Sequence, residues 1–233
     1  MKVVFVADSM KAGGLQRVIS IITNQLQLIH GVEIGILLFS RQPIMYDINN
    51  AIQIVQPKKI RFSNIKIINA LMVLIYLRRN LKRIKPDHII GFHERYNALI
   101  ILASLFLKSK VHVSNRASPL SSLEGYRGIV NPIFYKWADT VILQTAKSKE
   151  LLAASYRGSN LVVINNPIDT VNTAIKTERN NIIINVGSIG GMKNQNLLVD
   201  YYDAIDNVVK RDWQLHFIGD GPKCEELKKK SKS

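Results

Sequence analysis

The stretch "KVVFVADSMKAGGLQRVISIITNQLQLIHG", residues 2–31, decides the fold. Its opening is a β-branched, nearly continuous apolar run, which is how a parallel strand buried on both faces reads. From Gly13 onward apolar residues recur at helical spacing, and the run closes on Gly31. A buried strand followed by a helix is the unit from which open parallel sheets are built, because parallel strands need a crossover connection.

The unit recurs along the chain. "VEIGILLFS" (32–40) reads as a strand, 64–84 as a long helix, and "DHIIGFH" (87–93), preceded by Pro86, as a strand. Then come a helix over 97–107, a strand "VHVSN" (111–115), a helix around 129–137, a strand "TVILQT" (140–145), a helix over 147–155 and a strand "NLVVINN" (160–166). The class is α/β, a parallel sheet with helices on both faces. Ligands of such sheets bind beyond the carboxyl ends of the strands. Polar side chains gather at five of those ends: Asp8 and Ser9, Ser40 and Arg41, His93 and Glu94, Asn115 and Arg116, and Thr145.

After "INNPID" (164–169) the texture changes. Asn-Pro restricts the backbone to extended or turn conformations, and "TVNTAIKTERNN" is polar and aperiodic. Residues 1–168 therefore read as one domain and 169–180 as a linker. Residues 181–233 open a second βα domain: a strand over 181–186, a glycine loop, a helix over 194–209, a strand "WQLHFIG" (213–219), a turn "DGP" and the start of another helix. Two strands fall short of the three a sheet normally needs, so this domain is expected to be incomplete, finished by a partner or by further chain.

A hydrophobic content of 47% with seven prolines is ordinary for a globular protein and excludes disorder. The single cysteine, Cys224, forms no internal disulfide, which favours a reducing, cytoplasmic setting over a stapled secreted scaffold. No signal peptide is visible at the start. "IKIINALMVLIYL" (65–77) and "NALIILASLFL" (97–107) are apolar but short of the roughly 20 residues that cross a bilayer, and read as buried or surface-lying helices.

The formal charge of +15 is unevenly placed: residues 1–168 hold 22 of the 32 Lys and Arg but 8 of the 17 Asp and Glu. "YLRRNLKRIK" (76–85) directly follows an apolar stretch, an order that suits an anionic lipid surface as well as a nucleic acid. A solvated helix end accounts for any one cluster equally well. Aromatic interleaving is poor and no zinc or RNP motif is present, so nucleic acid is not an expected partner.

Two glycine loops follow strands. In "NVGSIGGMKN" (185–194), Gly187, Gly190 and Gly191 lead to a helix start near Asn194, so backbone N–H groups, the positive helix end and Lys193 meet at one place. The spacing is neither GxGxxG nor GxxxxGK[ST], and a plain βα turn remains the alternative. In "DSMKAGGLQRV" (8–18), Gly13 and Gly14 open the first helix without a Cβ in the way of a phosphate. One glycine loop in each half, with a proline hinge between, suggests a ligand held between two Rossmann-like halves.

These segments resemble glycosyltransferase family 4, the retaining nucleotide-sugar transferases of GT-B fold. "GGLQRVI" resembles the family's GGxERV opening, and "SNRASP" (114–119), "INNPID", "NVGSIGGMKNQNLL" and "FIGDGP" (217–222) follow in order. The resemblance implies two Rossmann-like domains, with the second truncated here. It implies that Gly187, Ser188, Lys193 and Asn194 face a donor diphosphate, with Ser188 where the family carries arginine. It implies further that Gly13 and Gly14 lie against the donor and that Gly219 and Gly221 form the turn near its nucleotide. His93 stands where the family places a catalytic histidine, a structural histidine being the alternative, and Glu94 and Arg116 stand on the acceptor side. Arg116 suits an acceptor phosphate, or an ordinary ion pair.

The family's paired glutamates, seven residues apart, have no counterpart here, which implies about a hundred further residues. The expected activity is hexose transfer from a nucleotide diphosphate sugar to a growing, lipid-linked surface glycan such as capsule or O-antigen. No cofactor or metal is expected, and the protein would lie peripherally on the inner face of the plasma membrane. A non-catalytic remnant or binding module is the alternative, and a basic nucleic-acid binder a third.

Overall fold

The computed structural model describes residues 1–58, 65–116, 125–168, 180–190 and 193–231. Backbone contacts divide the chain into two units, Met1–Thr170 and Val171–Ser233. The expected linker falls almost wholly outside the described residues.

The first unit is one seven-stranded sheet, every pairing parallel, in the order β3-β2-β1-β4-β5-β6-β7. Its strands are β1 (Lys2–Ala7), β2 (Glu33–Leu38), β3 (Gln53–Val55), β4 (His88–Gly91), β5 (Lys110–Asn115), β6 (Thr140–Leu143) and β7 (Leu161–Val163). Its helices are α1 (Gly14–Gln27), α2 (Lys66–Ile84), α3 (Asn97–Ser104), α4 (Gly125–Tyr135) and α5 (Ala146–Ala153).

Alternation of side chains across the pleat divides the buried residues into two cores. Val3, Phe5 and Ala7 of β1 join Ile34, Ile36 and Leu38 of β2 and Val18 and Ile19 of α1. Val4 and Val6 join Leu37, the α2 residues Val73, Leu77 and Leu81, the α3 residues Ile100 and Ile101, and Tyr135 of α4. Asn97–Ser104 thus form a mostly buried helix that stops short of the expected residue 107, with Phe106 beyond it 97% exposed, whereas α2 buries one stripe and exposes another. Lys85, in the left-handed region at φ 50°, ends α2 by donating its N–H to Leu81 O, and Pro86 stops any continuation.

Several expectations shift. β3 was not legible: it is three residues long, at the sheet edge, and only half-buried. α4 begins at Gly125, earlier than expected, and carries Pro132 inside it. The strand expected over 160–166 contracts to three residues.

The second unit pairs β8 (Ile182–Val186) with β9 (Gln214–Ile218) in parallel. Its helices are α6 (Gln195–Asp203), α7 (Asn207–Lys210) and α8 (Cys224–Lys230). The single helix expected over 194–209 is two, because the Asp206 carboxylate accepts the Val208 N–H and caps a fresh start. Ile189, Val199 and Leu227 form the core, with Leu215 and Phe217 against it. Ile184, Val186 and Ile218, on the other face, are more than half exposed.

Candidate functional site

The sheet order reverses direction between β1 and β4, which are hydrogen-bonded neighbours whose following segments run to opposite sides. A doubly wound sheet opens its binding crevice at that switch point, beyond the strand ends. Here β1 ends in Asp8 and the glycine loop, and β4 ends in Phe92, His93 and Glu94. The ladder continues past both strands, with Phe92 N–H donating to Val6 O at 3.0 Å and Ser40 N–H to Asp8 O at 2.9 Å.

The glycine loop hands over to α1 at Gly13, and no side chain caps the helix. Arg17 N–H takes Gly13 O at 3.1 Å, leaving the preceding first-turn amides without helical partners. A Cβ at Gly14 would meet nothing within 4 Å, so this helix start is open to approach. Gly13 is held differently: its N–H donates to the Tyr46 hydroxyl at 2.8 Å and its carbonyl accepts from that hydroxyl at 2.7 Å.

His93 is partly exposed, and its Nδ1 lies 3.3 Å from Glu94 Oε1 and 3.2 Å from the Arg95 N–H. With Nδ1 occupied from the protein side, Nε2 is the nitrogen left for a ligand. Glu94, expected to face an acceptor, is instead 1% exposed. Its Oε2 accepts the Arg116 N–H at 3.2 Å and its carbonyl accepts from Asn131 at 2.9 Å, so it meets protein rather than ligand.

The Arg116 guanidinium stacks over the Phe92 ring at 4.3 Å and donates to Asn166 Oδ1. Burial pulls its pKa down to about 10, still charged at neutral pH. Its Nε is buried with no hydrogen-bond partner among the described residues. Thr145, at the end of β6, is taken up in capping α5, where its Oγ1 accepts the Ser148 N–H at 3.1 Å.

A polar network supports this edge from below. Asn97 Nδ2 reaches Ser114 O and Asn115 Oδ1 at 3.2 Å and the Tyr135 hydroxyl at 3.3 Å, and that hydroxyl donates to Asn115 Oδ1 at 2.5 Å. Burial raises the Tyr135 pKa above the usual phenol value, so the hydroxyl keeps its proton.

In the second unit the two turns lie backbone to backbone. Gly187 N–H donates to Ile218 O at 2.9 Å and Ile189 N–H to Asp220 O at 3.0 Å, prolonging the β8–β9 ladder. A Cβ on Gly219 would stand 1.9 Å from Gly187 O, and one on Gly221 2.3 Å from Ile189 O. That approach leaves no room for a Cβ at either glycine. Gly187 and Gly219 also sit at φ +152° and +154°, where other residues are strained.

Ser188 is exposed, and its carbonyl accepts from Gln195 Nε2 at 3.0 Å. Lys193 and Asn194 are exposed, and Asn194 starts α6 in the left-handed region with no side-chain cap. A pocket of about 290 Å³ opens at that helix start, lined by Ile189, Asn194, Gln195, Asn196, Leu197 and Lys223. Lys193 is not in its wall; Lys223 is.

Sequence does not reveal Tyr46, Lys223, Asn97 or Tyr135; Asn115 is legible at its strand end, but not its hydrogen bonds to Asn97 and Tyr135. Tyr46 lies 33 residues from its partner in a segment without periodicity, and no local signal marks it.

Comparison with known proteins fits this architecture. A Campylobacter jejuni transferase named for adding N-acetylgalactosamine to an undecaprenol-linked glycan is 22% identical over all of this chain, which spans 65% of its length. The lipopolysaccharide outer core galactosyltransferase WaaB superposes with a TM-score of 0.70 at 19% identity, over 100% of this chain and 64% of its own. Anabaena HepE, solved with UDP and glucose, superposes at 0.68 and 14% identity, over 99% of this chain and 65% of its own. The family model described as Glycosyltransferase Family 4 matches residues 12–172, well over half of the chain, and the chain belongs to that family.

Proposed function

We propose that this chain supplies the acceptor-side domain and part of the donor-side domain of a retaining transferase that moves a hexose from a nucleotide diphosphate sugar to a lipid-linked surface glycan. The observation that carries the reading is the switch point: an open, uncapped glycine helix start after β1 beside a half-exposed histidine after β4, within the matched family segment. The names of the relatives support the substrate class, since they specify an undecaprenol-linked acceptor, lipopolysaccharide, and UDP with glucose.

In this mechanism Lys193 and the bare N-terminus of α6 oppose the charge of the departing diphosphate, a task for preorganised donors. Gly13 and Gly14 let the donor approach the start of α1, while Gly187, Ser188 and Asn194, with the Gly219 and Gly221 turn, shape the nucleotide side. His93 presents Nε2 to the transferred sugar, Glu94 holds the His93 ring from behind, and Arg116 takes an acceptor phosphate. No metal or other cofactor is required, so transfer is expected to persist in excess chelator. Calorimetric titration with UDP and GDP sugars is the test: no donor binding by this chain overturns the donor reading. Transfer to a polyprenyl diphosphate-linked glycan is expected to fall about a hundredfold in His93→Ala, as loss of one preorganised hydrogen-bonding group at the reacting sugar does.

The acceptor is lipid-linked in this reading, and α2 offers the surface to reach it. Ile67, Leu71 and Ile75, at i, i+4 and i+8, are 80, 54 and 49% exposed, and the same outer side carries a groove of about 550 Å³ lined by Met72, Ile75, Tyr76, Arg79, Asn80 and Arg83. Among the described residues no helix is long and apolar enough to cross a membrane. The apolar stripe running into arginines suits an anionic inner leaflet, on which the protein would lie peripherally. Co-sedimentation with anionic vesicles no better than with neutral ones would refute this, and salt-sensitive binding to duplex nucleic acid would favour a different partner.

A further inference from the structure

The loop on which donor approach depends is held by a residue that the reaction, as described, does not use. Tyr46 lies in the irregular segment after β2, where residues 41–45 are exposed. Its ring packs against the core shared by β1, β2 and α1, and its hydroxyl both accepts the Gly13 N–H at 2.8 Å and donates to the Gly13 carbonyl at 2.7 Å. One side chain thus satisfies both polar groups of a backbone residue, as a neighbouring strand would. The carbonyl also receives the Arg17 N–H, the first backbone bond into α1, so the hydroxyl acts where the helix begins.

The segment around Tyr46 is itself tied down. Met45 N–H donates to Met10 O at 3.0 Å, Asn24 Nδ2 donates to Asp47 O at 2.9 Å, and Asn49 N–H donates to Asn24 Oδ1 at 2.9 Å. The tyrosine is therefore a fixed strut. Gly13 needs one: it is extended, at φ 170° and ψ 153°, and no capping side chain holds it at the helix start. Gly14, next to it, has open space around its Cα.

We propose that Tyr46 is a positioning residue for the donor, locking Gly13 so that its amide is withdrawn from the site and the open amides from Gly14 onward are the ones presented. The proposal rests on the donor reading above, and it separates two glycines that sequence treats as a pair: both lack a Cβ in the donor's way, but Gly13 gives its amide to the strut while Gly14 presents its own to the ligand. A side chain at Gly13 would also strike the buried Gln16, whose Oε1 would lie 2.4 Å from the new Cβ.

The test is Tyr46→Phe in the full chain, which keeps the ring in the core and removes both hydrogen bonds. Amide exchange over residues 11–17 is expected to quicken about tenfold or more, with exchange in β1 and β2 unchanged, since an amide that loses its partner exchanges through local opening. UDP titration is expected to give about a tenfold weaker Kd, the effect of one or two lost hydrogen bonds on a preorganised site. In the assembled transferase the donor KM rises while the acceptor KM holds. Unchanged exchange over 11–17 overturns the lock. Quickened exchange with UDP affinity within about twofold of wild type overturns the positioning role. If the wild-type chain binds no UDP, the donor reading falls and the positioning role with it, while the exchange comparison still decides whether Tyr46 locks the loop.

Discussion

The two units use the same strand–loop–helix element under opposite constraints. In Met1–Thr170 the sheet has seven strands and a core on each face, so its loops are free to be open. Among the described residues of Val171–Ser233 two strands carry one small core, and the loops that follow them hydrogen-bond to each other. The contrast shows in the glycines. Gly14 has nothing near it, whereas Gly219 and Gly221 are pressed against the backbone of the neighbouring turn. A glycine after a strand therefore has two physical meanings, access for a ligand or access for another backbone.

The largest effect should come from Gly219→Ala. The new Cβ would collide with Gly187 O at 1.9 Å, at a φ of +154° that alanine resists, with a small core among the described residues, Ile189, Val199 and Leu227 with Leu215 and Phe217 against them, to absorb the shift. A loss on the order of 3 kcal/mol or more is expected, enough to unfold the second unit while the first stays folded. Trp137 and Trp213, the two tryptophans, fall one in each unit, so fluorescence of single-tryptophan variants follows each unfolding transition separately. A common shift of both transitions would break the comparison.

Tyr135→Phe should cost the first unit about 1–3 kcal/mol, because the hydroxyl shared by Asn97 and Asn115 has no replacement in a buried position. Urea unfolding followed through Trp137 measures it. A smaller effect is expected from acid. His112 Nε2 shares a 3.0 Å contact with His88 Nδ1, and burial, aided by the charges of His88 and Lys110 against that of Asp139, lowers the His112 pKa. Its folded state favours the neutral ring, so stability is full above the ordinary value of about 6.5 and declines as pH falls through it. The decline ends once the lowered folded pKa is passed. Urea midpoints between pH 8 and pH 5 should show that slope, and His112→Asn should flatten it.

The smallest structural effect belongs to Gly14→Ala, within about 0.5 kcal/mol of wild type, since the methyl meets nothing. Donor affinity is where this substitution should register, through the added Cβ at the helix start. Unchanged melting with weakened UDP binding would sharpen the distinction between the two kinds of glycine.

Most elements could be read from the chain because their signals are local. The apolar runs of β1 and β2 and the helical spacing of α1 and α2 need only neighbours two to four residues away. β3 escaped because three half-buried residues make no pattern of their own and are strand only beside Gly35, Ile36 and Leu37. The strand-end positions of His93 and Arg116 were legible for the same local reason. Glu94's inward turn was not, because its partner is a main-chain N–H 22 residues away.

Sequence by itself determined the α/β class, the order of the main strands and helices, the glycine-bearing turns and the family resemblance, since each is written in spacing along the chain. Tertiary structure alone decided which strands are neighbours, that the switch point falls between β1 and β4, that Tyr46 grips Gly13, and which glycines face backbone rather than open space. Those outcomes depend on contacts between residues far apart in the chain. Periodicity says which face of an element is apolar, and only packing says what that face, or a lone hydroxyl beside it, will meet.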